Sequence, residues 1–205
     1  MREPLVCVLG VEDSVSQIFR SARLPVRDFT SSADFIENQH HSGPCCLVID
    51  VITPGIDAFE LQRMLANRPE QIVFLTAHGD VPTCARAMKA GAVDFLTKPA
   101  NPAILLEAAT RALARSRAIL TDQATRTAAK AKFARLTPRE FSVMERVIAG
   151  MLNKQIAADF GSAEKTIKVH RGRVMRKTGV VSVADLVRLA ISAGIPDMVG
   201  NHEAS

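Results

Sequence analysis

Six of the fourteen residues from Glu164 to Lys177 are cationic: Lys165, Lys168, Arg171, Arg173, Arg176 and Lys177. Ammonium and guanidinium groups donate to phosphate oxygens and to the acceptor edge of guanine, and Val169 among them offers a surface for a thymine methyl. Three other groups, far apart in sequence, each stand at or near the end of an apolar run: the carboxylate of Asp50, the hydroxyl of Thr76 and the ammonium of Lys98. They make a set of an acid, a hydrogen-bonding hydroxyl and a cation.

The basic stretch lies among four short helices that can be read from their end signals. Thr137-Pro138-Arg139-Glu140 gives an N-cap, a proline at the first helical position and a capping-box carboxylate, with Leu136 and Phe141 placed as a hydrophobic staple. Gly150 closes that helix, Asn153 is placed to cap the next, and Gly161 stops it after two turns. Ser162 or Ala163 opens a third helix, Glu164 to Thr178, ended by Gly179; Ser182 and Asp185 form a box for a fourth, stopped by Gly194 and Pro196. Two helices joined at a glycine turn make a helix-turn-helix, which places its second helix in the major groove of duplex DNA. Ala157 lets the pair approach closely, Gly161 supplies the turn, and Ile167 packs beneath the crossing. Ile167, Val174 and the methyl of Thr178 face inward, while Lys165, Lys168, Val169 and Gly172 share the opposite face. A solvated basic helix would have the same composition; the glycine turn beside it favours DNA.

Charge is partitioned accordingly. Residues 1–115 hold 11 Lys+Arg against 13 Asp+Glu, a net of −2, and residues 116–205 hold 15 against 8, a net of +7. A positive module beside a slightly acidic one favours a polyanionic partner for the former. The absence of tyrosine and tryptophan argues against single-strand binding by base stacking. Cys7, Cys45 and Cys46 in strand-like runs and Cys84 on a helix read as structural thiols, with a redox switch as the alternative, and neither they nor the histidines have metal-ligand spacing. No stretch is long and apolar enough to span a bilayer and no leader precedes the first strand, so a soluble cytoplasmic protein is expected.

The N-terminal part alternates strand and helix patterns. Strands are predicted over residues 5–9, 26–29, 45–49 running into Asp50, 72–75 and 93–96, and helices over 13–22, 33–39, 57–65, 81–90 and from Pro102 onward. The fold class expected is an α/β doubly wound five-stranded parallel sheet followed by an all-α four-helix domain. Boundaries are placed at residues 1–120 for the first domain, 121–135 for a helical linker and 136–205 for the second. In such a sheet ligands sit beyond the carboxyl ends of the strands, which brings Gly10, Val11, Asp50, Thr76 and Lys98 to one rim.

The chain resembles a full-length response regulator of the FixJ/NarL kind, a phosphoryl-receiver domain followed by a LuxR-type DNA-binding domain, over nearly its whole length. The resemblance is carried by Val48-Ile49-Asp50 before Thr53-Pro54-Gly55, by Leu75-Thr76-Ala77-His78-Gly79-Asp80, and by the run from Met88 through Lys98-Pro99. In the C-terminal part it is carried by Leu136-Thr137-Pro138-Arg139-Glu140, Asn153-Lys154-Gln155-Ile156-Ala157 and Lys165-Thr166-Ile167-Lys168-Val169-His170-Arg171. By that resemblance Asp50 matches the acceptor of a phosphoryl group from a histidine kinase, Thr76 the hydroxyl that binds it, Lys98 the ammonium that neutralises it, and Phe95 the aromatic that moves with the threonine. The resemblance also implies that Lys168, Val169 and Arg171 face base edges. Lys154, Lys165, Thr166, Arg173 and Lys177 complete the expected DNA-binding set; Lys154, Thr166, Arg173 and Lys177 are expected at phosphates, which orient without reading sequence. Gly172 stands where relatives often carry a longer side chain. Residues 81–113, and Val183, Leu186, Val187, Leu189 and Ile191 of the last helix, match surfaces through which relatives pair. The implied partners are double-stranded DNA, a second copy, a histidine kinase and RNA polymerase.

One departure concerns the metal. Relatives hold Mg²⁺ with two adjacent acids after the first strand; Gly10 and Val11 occupy those positions here, and neither has a ligating side chain. Glu12 and Asp13 follow one or two positions late, where acids suit a helix start, although a shifted loop could return Glu12 toward Asp50. Ile52 is apolar, Thr53 replaces the usual methionine and Ala58 a usual glycine. The expectation is a transcription regulator, not an enzyme, with an atypical receiver that has no cofactor and in which Lys98 pairs directly with Asp50. Two alternatives stand beside it. One is a conventional regulator switched by phosphorylation of Asp50, with Mg²⁺ there; the other is an interaction protein whose receiver sequesters a kinase.

Overall fold

The computed structural model describes residues 2–55 and 57–195. The chain divides into two compact units, Met1–Thr121 and Asp122–Ser205. In the first, strands β1 (Leu5–Leu9), β2 (Val26–Phe29), β3 (Cys45–Asp50), β4 (Gln71–Thr76) and β5 (Asp94–Thr97) alternate with α1 (Asp13–Ser21), α2 (Ser32–Asn38), α3 (Ala58–Leu65) and α4 (Val81–Lys89), and α5 (Pro102–Phe133) follows. All pairings are parallel, in the order β2-β1-β3-β4-β5.

The pleat explains why the central strands are apolar throughout. Cys7, Leu9, Leu47, Ile49 and Phe74 face one way and pack with Phe35 of α2, Leu61 and Leu65 of α3 and Ala87 of α4. Their neighbours Val6, Val8, Val48, Val73 and Leu75 face the other way and meet Val15 and Phe19 of α1 and Leu105, Ala108 and Ala112 of α5. A strand buried on both faces needs apolar residues at consecutive positions, as found in each central strand. β4 runs one residue beyond the apolar run at each end, because Gln71 pairs with Cys46 and Thr76 with Thr97; ladder bonds are made by backbone and do not depend on side-chain polarity. Three cysteines, Cys7, Cys45 and Cys46, are buried free thiols, and Cys84 is half-buried on α4. The hydrogen bond between the Cys7 and Cys45 thiols, then burial, raises the Cys7 thiol, and burial raises Cys46; both stay protonated.

The strand order reverses between β1 and β3, so the β1–α1 loop and the β3–α3 loop leave in opposite senses and open a crevice at their carboxyl ends. Gly10 turns the chain there with φ +66°, a left-handed value that glycine adopts without penalty.

The second unit holds α6 (Pro138–Ile148), α7 (Asn153–Asp159), α8 (Glu164–Thr178) and α9 (Val183–Ala193). Its core joins Val143, Met144 and Val147 of α6 to Ile156 of α7, Ile167 and Val174 of α8, and Leu186 and Ala190 of α9. Residues 121–135, expected as a linker, are helical to Phe133, and Ala129 and Phe133 are buried in this same core. Alanine-rich composition hid that role: a helix with small residues and one phenylalanine shows little apolar stripe, yet the phenylalanine fills the space beside α6. Asn153 is not a cap but the first residue of α7, where Gln155 Oε1 accepts from the Leu152 N–H at 2.7 Å. Ala163, not Ser162, precedes α8, and Pro196, expected to stop α9, lies outside the described residues.

Replacing Phe133 by alanine should destabilise the second unit by ~3 kcal/mol, the usual cost of truncating a buried phenylalanine. Denaturant unfolding followed by far-ultraviolet circular dichroism checks this; an unchanged midpoint would return Phe133 to the status of a solvated linker residue.

Candidate functional site

The sheet brings Asp50 and Lys98 together. Asp50 ends β3 and Lys98 follows β5, and the Lys98 Nζ lies 2.7 Å from Asp50 Oδ2. The other carboxylate oxygen accepts from the Ile52 N–H at 2.9 Å. Both side chains are largely buried, at 12% and 19% exposure, so the pair is shielded from solvent and a charge-assisted bond there is strong. The Lys98 N–H donates to the Thr76 carbonyl at 2.8 Å, which fixes the backbone from which the ammonium extends.

Thr76 and Phe95 are less directly engaged. Thr76 is fully buried, and its hydroxyl donates to the His78 carbonyl and accepts from the His78 N–H at 3.3 and 3.2 Å, an arrangement internal to the β4–α4 loop. Phe95 is half-buried against Phe74, with ring centroids 6.2 Å apart.

Gly10 and Val11 present no oxygen-bearing side chain toward Asp50. Val11 packs on the apolar cluster shared with α1 and α5, and the Gly10 carbonyl accepts from Thr53 Oγ1 at 3.1 Å. Glu12 meets the edge of the crevice through Lys98. It precedes α1 as its N-cap, is mostly exposed, and its carboxylate stands 3.8 Å from the Lys98 ammonium. Asp13 begins α1 and pairs with Arg20 at 3.2 Å. Mg²⁺ requires hard oxygen ligands in an octahedral array. Asp50 is already bonded through both oxygens and the exposed Glu12 carboxylate stands against Lys98, so these side chains do not present an octahedral set of oxygens to that ion. Among the described residues no cluster of three His, Cys, Asp or Glu side chains is placed to hold a metal.

In the second unit α7 and α8 form the helix-turn-helix around Gly161, whose φ of +57° makes the turn. Ile167, Val174 and Thr178 are buried, which leaves Lys165, Thr166, Lys168, Val169, Gly172 and Arg173 exposed along α8, and Lys154 exposed on α7. A side chain added at Gly172 would meet nothing within 4 Å, so the glycine leaves an open notch in that face.

Two of the residues expected at DNA have partners within the second unit. Arg171 is half-buried and its Nη1 donates to Asn153 Oδ1 at 3.1 Å, which ties α8 to the start of α7. Lys177 gives its ammonium to Glu140 at 2.6 Å, and Glu140 also accepts from the Thr137 N–H at 2.9 Å in the capping box of α6. The Lys177 hydrogen bond, then the Thr137 N–H, lower the Glu140 carboxyl to about 2. Sequence reading found the capping box but not its cation, because Lys177 stands 37 residues away. Phe160, between Arg139 and Arg146 with their guanidinium carbons 3.8 and 4.1 Å from the ring centroid, was likewise not singled out.

The Glu140 carboxyl, lowered in the folded chain, adds stability that is complete above the ordinary glutamate value and is lost as pH falls through it toward about 2. Lys177→Met removes the largest cause of the lowering, so its acid unfolding midpoint, read from helical circular dichroism, should move to higher pH than that of the unaltered chain. Coincident acid transitions would show that the ion pair contributes no pH-dependent stability.

Comparison with known proteins agrees with this geometry. A response regulator receiver domain model matches residues 10–110, and the model of bacterial regulatory proteins of the luxR family matches residues 134–190. Nodulation protein W of Bradyrhizobium diazoefficiens is 41% identical over 189 residues, covering 91% of this chain and 83% of that protein. The transcriptional regulatory protein FixJ of the same organism is 40% identical, covering 91% and 92%. The solved structure of the response regulator StyR superposes with a TM-score of 0.80 at 38% identity, covering 92% of this chain and 98% of that one. Full-length FixJ from B. japonicum gives 0.53 at 36%, covering 96% and 100%. Sequence and fold together place the chain among the two-component response regulators with a LuxR-type DNA-binding domain, transcription regulators of the FixJ kind.

Proposed function

We propose that this response regulator is a sequence-specific, cytoplasmic transcription regulator whose receiver works without a Mg²⁺-dependent aspartyl phosphate. The observation that carries the reading is the Lys98–Asp50 bond at 2.7 Å beside Gly10 and Val11. A carboxylate attacks phosphorus readily, but the transferring group carries negative charge that must be neutralised, and here the nearest cation is already committed to the nucleophile. The receiver then acts as a fixed module for pairing or for another input. Two copies would deliver two α8 helices to neighbouring half-sites. Exposed Val81 and Met88 on α4 suit that pairing, whereas Leu186 of α9 is core and only Ile191 of the five α9 positions is exposed. RNA polymerase is the expected further partner at a promoter.

A second reading, the conventional switch, rests on the retention of Asp50, Thr76 and Lys98 on one rim. It makes the opposite prediction. Incubated with acetyl phosphate and Mg²⁺, the full chain should form no acid-labile phosphate on Asp50; stoichiometric labelling there would establish the conventional switch in its place.

The division between reading and anchoring on DNA is testable separately. Lys168→Ala should change base preference in an operator selection, and Lys154→Ala should weaken all duplexes alike, by roughly a factor of ten or less, with a shallower salt dependence. Equal losses on selected and random duplex for both variants would sink that division.

A further inference from the structure

The crevice is missing an acid at position 10, and Thr53 occupies the space that a side chain there would need. An ideal Cβ built on Gly10 falls 2.7 Å from Thr53 Cγ2 and 2.8 Å from Thr53 Cβ, with Oγ1 nearer still. Atoms at such separations must move apart, and Thr53 is not free to do so, because its hydroxyl is bonded to the Gly10 carbonyl at 3.1 Å. Gly10 also has a left-handed φ of +66°, which side chains other than glycine adopt at a cost. Position 11 is committed in a different way, with Val11 set into the apolar packing of α1 and α5. Between them, Asp50 takes Lys98 and the Ile52 N–H.

We infer that Thr53 is a positioning residue: it latches the β3–α3 loop to the end of β1, fills the place of the absent acid, and leaves Lys98 as the cation of Asp50. The inference rests on the metal-independent reading proposed above and deepens it. It holds that the altered crevice is a mutually fitted set, in which Gly10 is required by Thr53. Restoring an aspartate at position 10 by itself then creates a clash and no metal site, whereas restoring it with the latch removed opens one.

Thermal unfolding of the full chain tests the fit through a double-mutant cycle. Gly10→Ala should lower the Tm of the unaltered chain by at least twice as much as it lowers that of Thr53→Gly. The isosteric Thr53→Val, which keeps the volume but loses the hydroxyl bond to the Gly10 carbonyl, should fall between threonine and glycine. Equal falls in both backgrounds, or a Gly10→Ala chain that fails to fold in either, would assign the glycine requirement to its φ and overturn the inference. Mn²⁺ binding, followed by water-proton relaxation, gives a readout that packing does not move. Gly10→Asp with Thr53→Gly should bind Mn²⁺ at least tenfold more tightly than Thr53→Gly alone, and Gly10→Asp with Thr53 retained should gain nothing over the unaltered chain. An equal gain with Thr53 retained would refute the latch. Mn²⁺ bound by the unaltered chain and lost in Asp50→Asn would instead defeat the metal-independent reading, leaving the cycle of melting temperatures to judge the Gly10–Thr53 fit.

Discussion

The receiver depends on one geometric constraint: an all-parallel sheet delivers the carboxyl ends of all its strands to the same rim. Asp50 from β3 and Lys98 after β5 are separated by 48 positions in the chain, and the intervening β4 carries the carbonyl that fixes the lysine's backbone. A carboxylate and an ammonium at 2.7 Å in a largely buried crevice hold each other firmly, and removing either partner would leave a charge poorly solvated. The pair thus sets the electrostatic state of the rim. An arriving anion would have to displace Asp50 from Lys98 before that cation could serve it.

In the second unit the comparable constraint is the satisfaction of the α6 capping box. Glu140 is buried, and its carboxylate is stable there because the Thr137 N–H and the Lys177 ammonium both donate to it. The ion pair anchors the C-terminal turn of α8 against the N-terminal turn of α6, while the Arg171–Asn153 bond anchors the middle of α8 to α7. Each bond gives a cation of the expected DNA-contacting set an intramolecular partner that holds α8 in place. Lys165, Lys168, Val169 and Arg173 stay exposed along α8 beside the open notch at Gly172.

Much of this arrangement could be read without coordinates. The consecutive apolar residues of β1, β3 and β4 report burial on two faces, and alternation with helical patterns then restricts the sheet to a parallel one. Glycines and capping residues bound the helices of the second unit, since a left-handed φ or a side-chain acceptor is a local requirement with few solutions. Gly10 and Val11 are singled out only through the resemblance to receivers, with Val15 and its helix aligned without a gap. The helix boundaries near Asn153 and Ser162 were less legible, because several polar residues in a row can each serve as a cap and the choice is made by how the turn packs. The burial of Phe133 within the expected helical linker was illegible for a related reason: its neighbours are small or polar, and only its packing in the core of the second unit distinguishes a core helix end from a linker.

The sequence by itself determined the order and kind of the elements, the partition of positive charge into the C-terminal part, and which reactive groups end up on the rim, because periodicity, capping and net charge are local or additive properties. The pairing of Lys98 with Asp50 was expected from the resemblance; tertiary structure alone gave Thr53 to Gly10, Lys177 to Glu140 and Arg171 to Asn153. Each of those pairings joins residues at least 18 positions apart, and the choice of partner depends on distances of a few ångströms that only the packed chain sets.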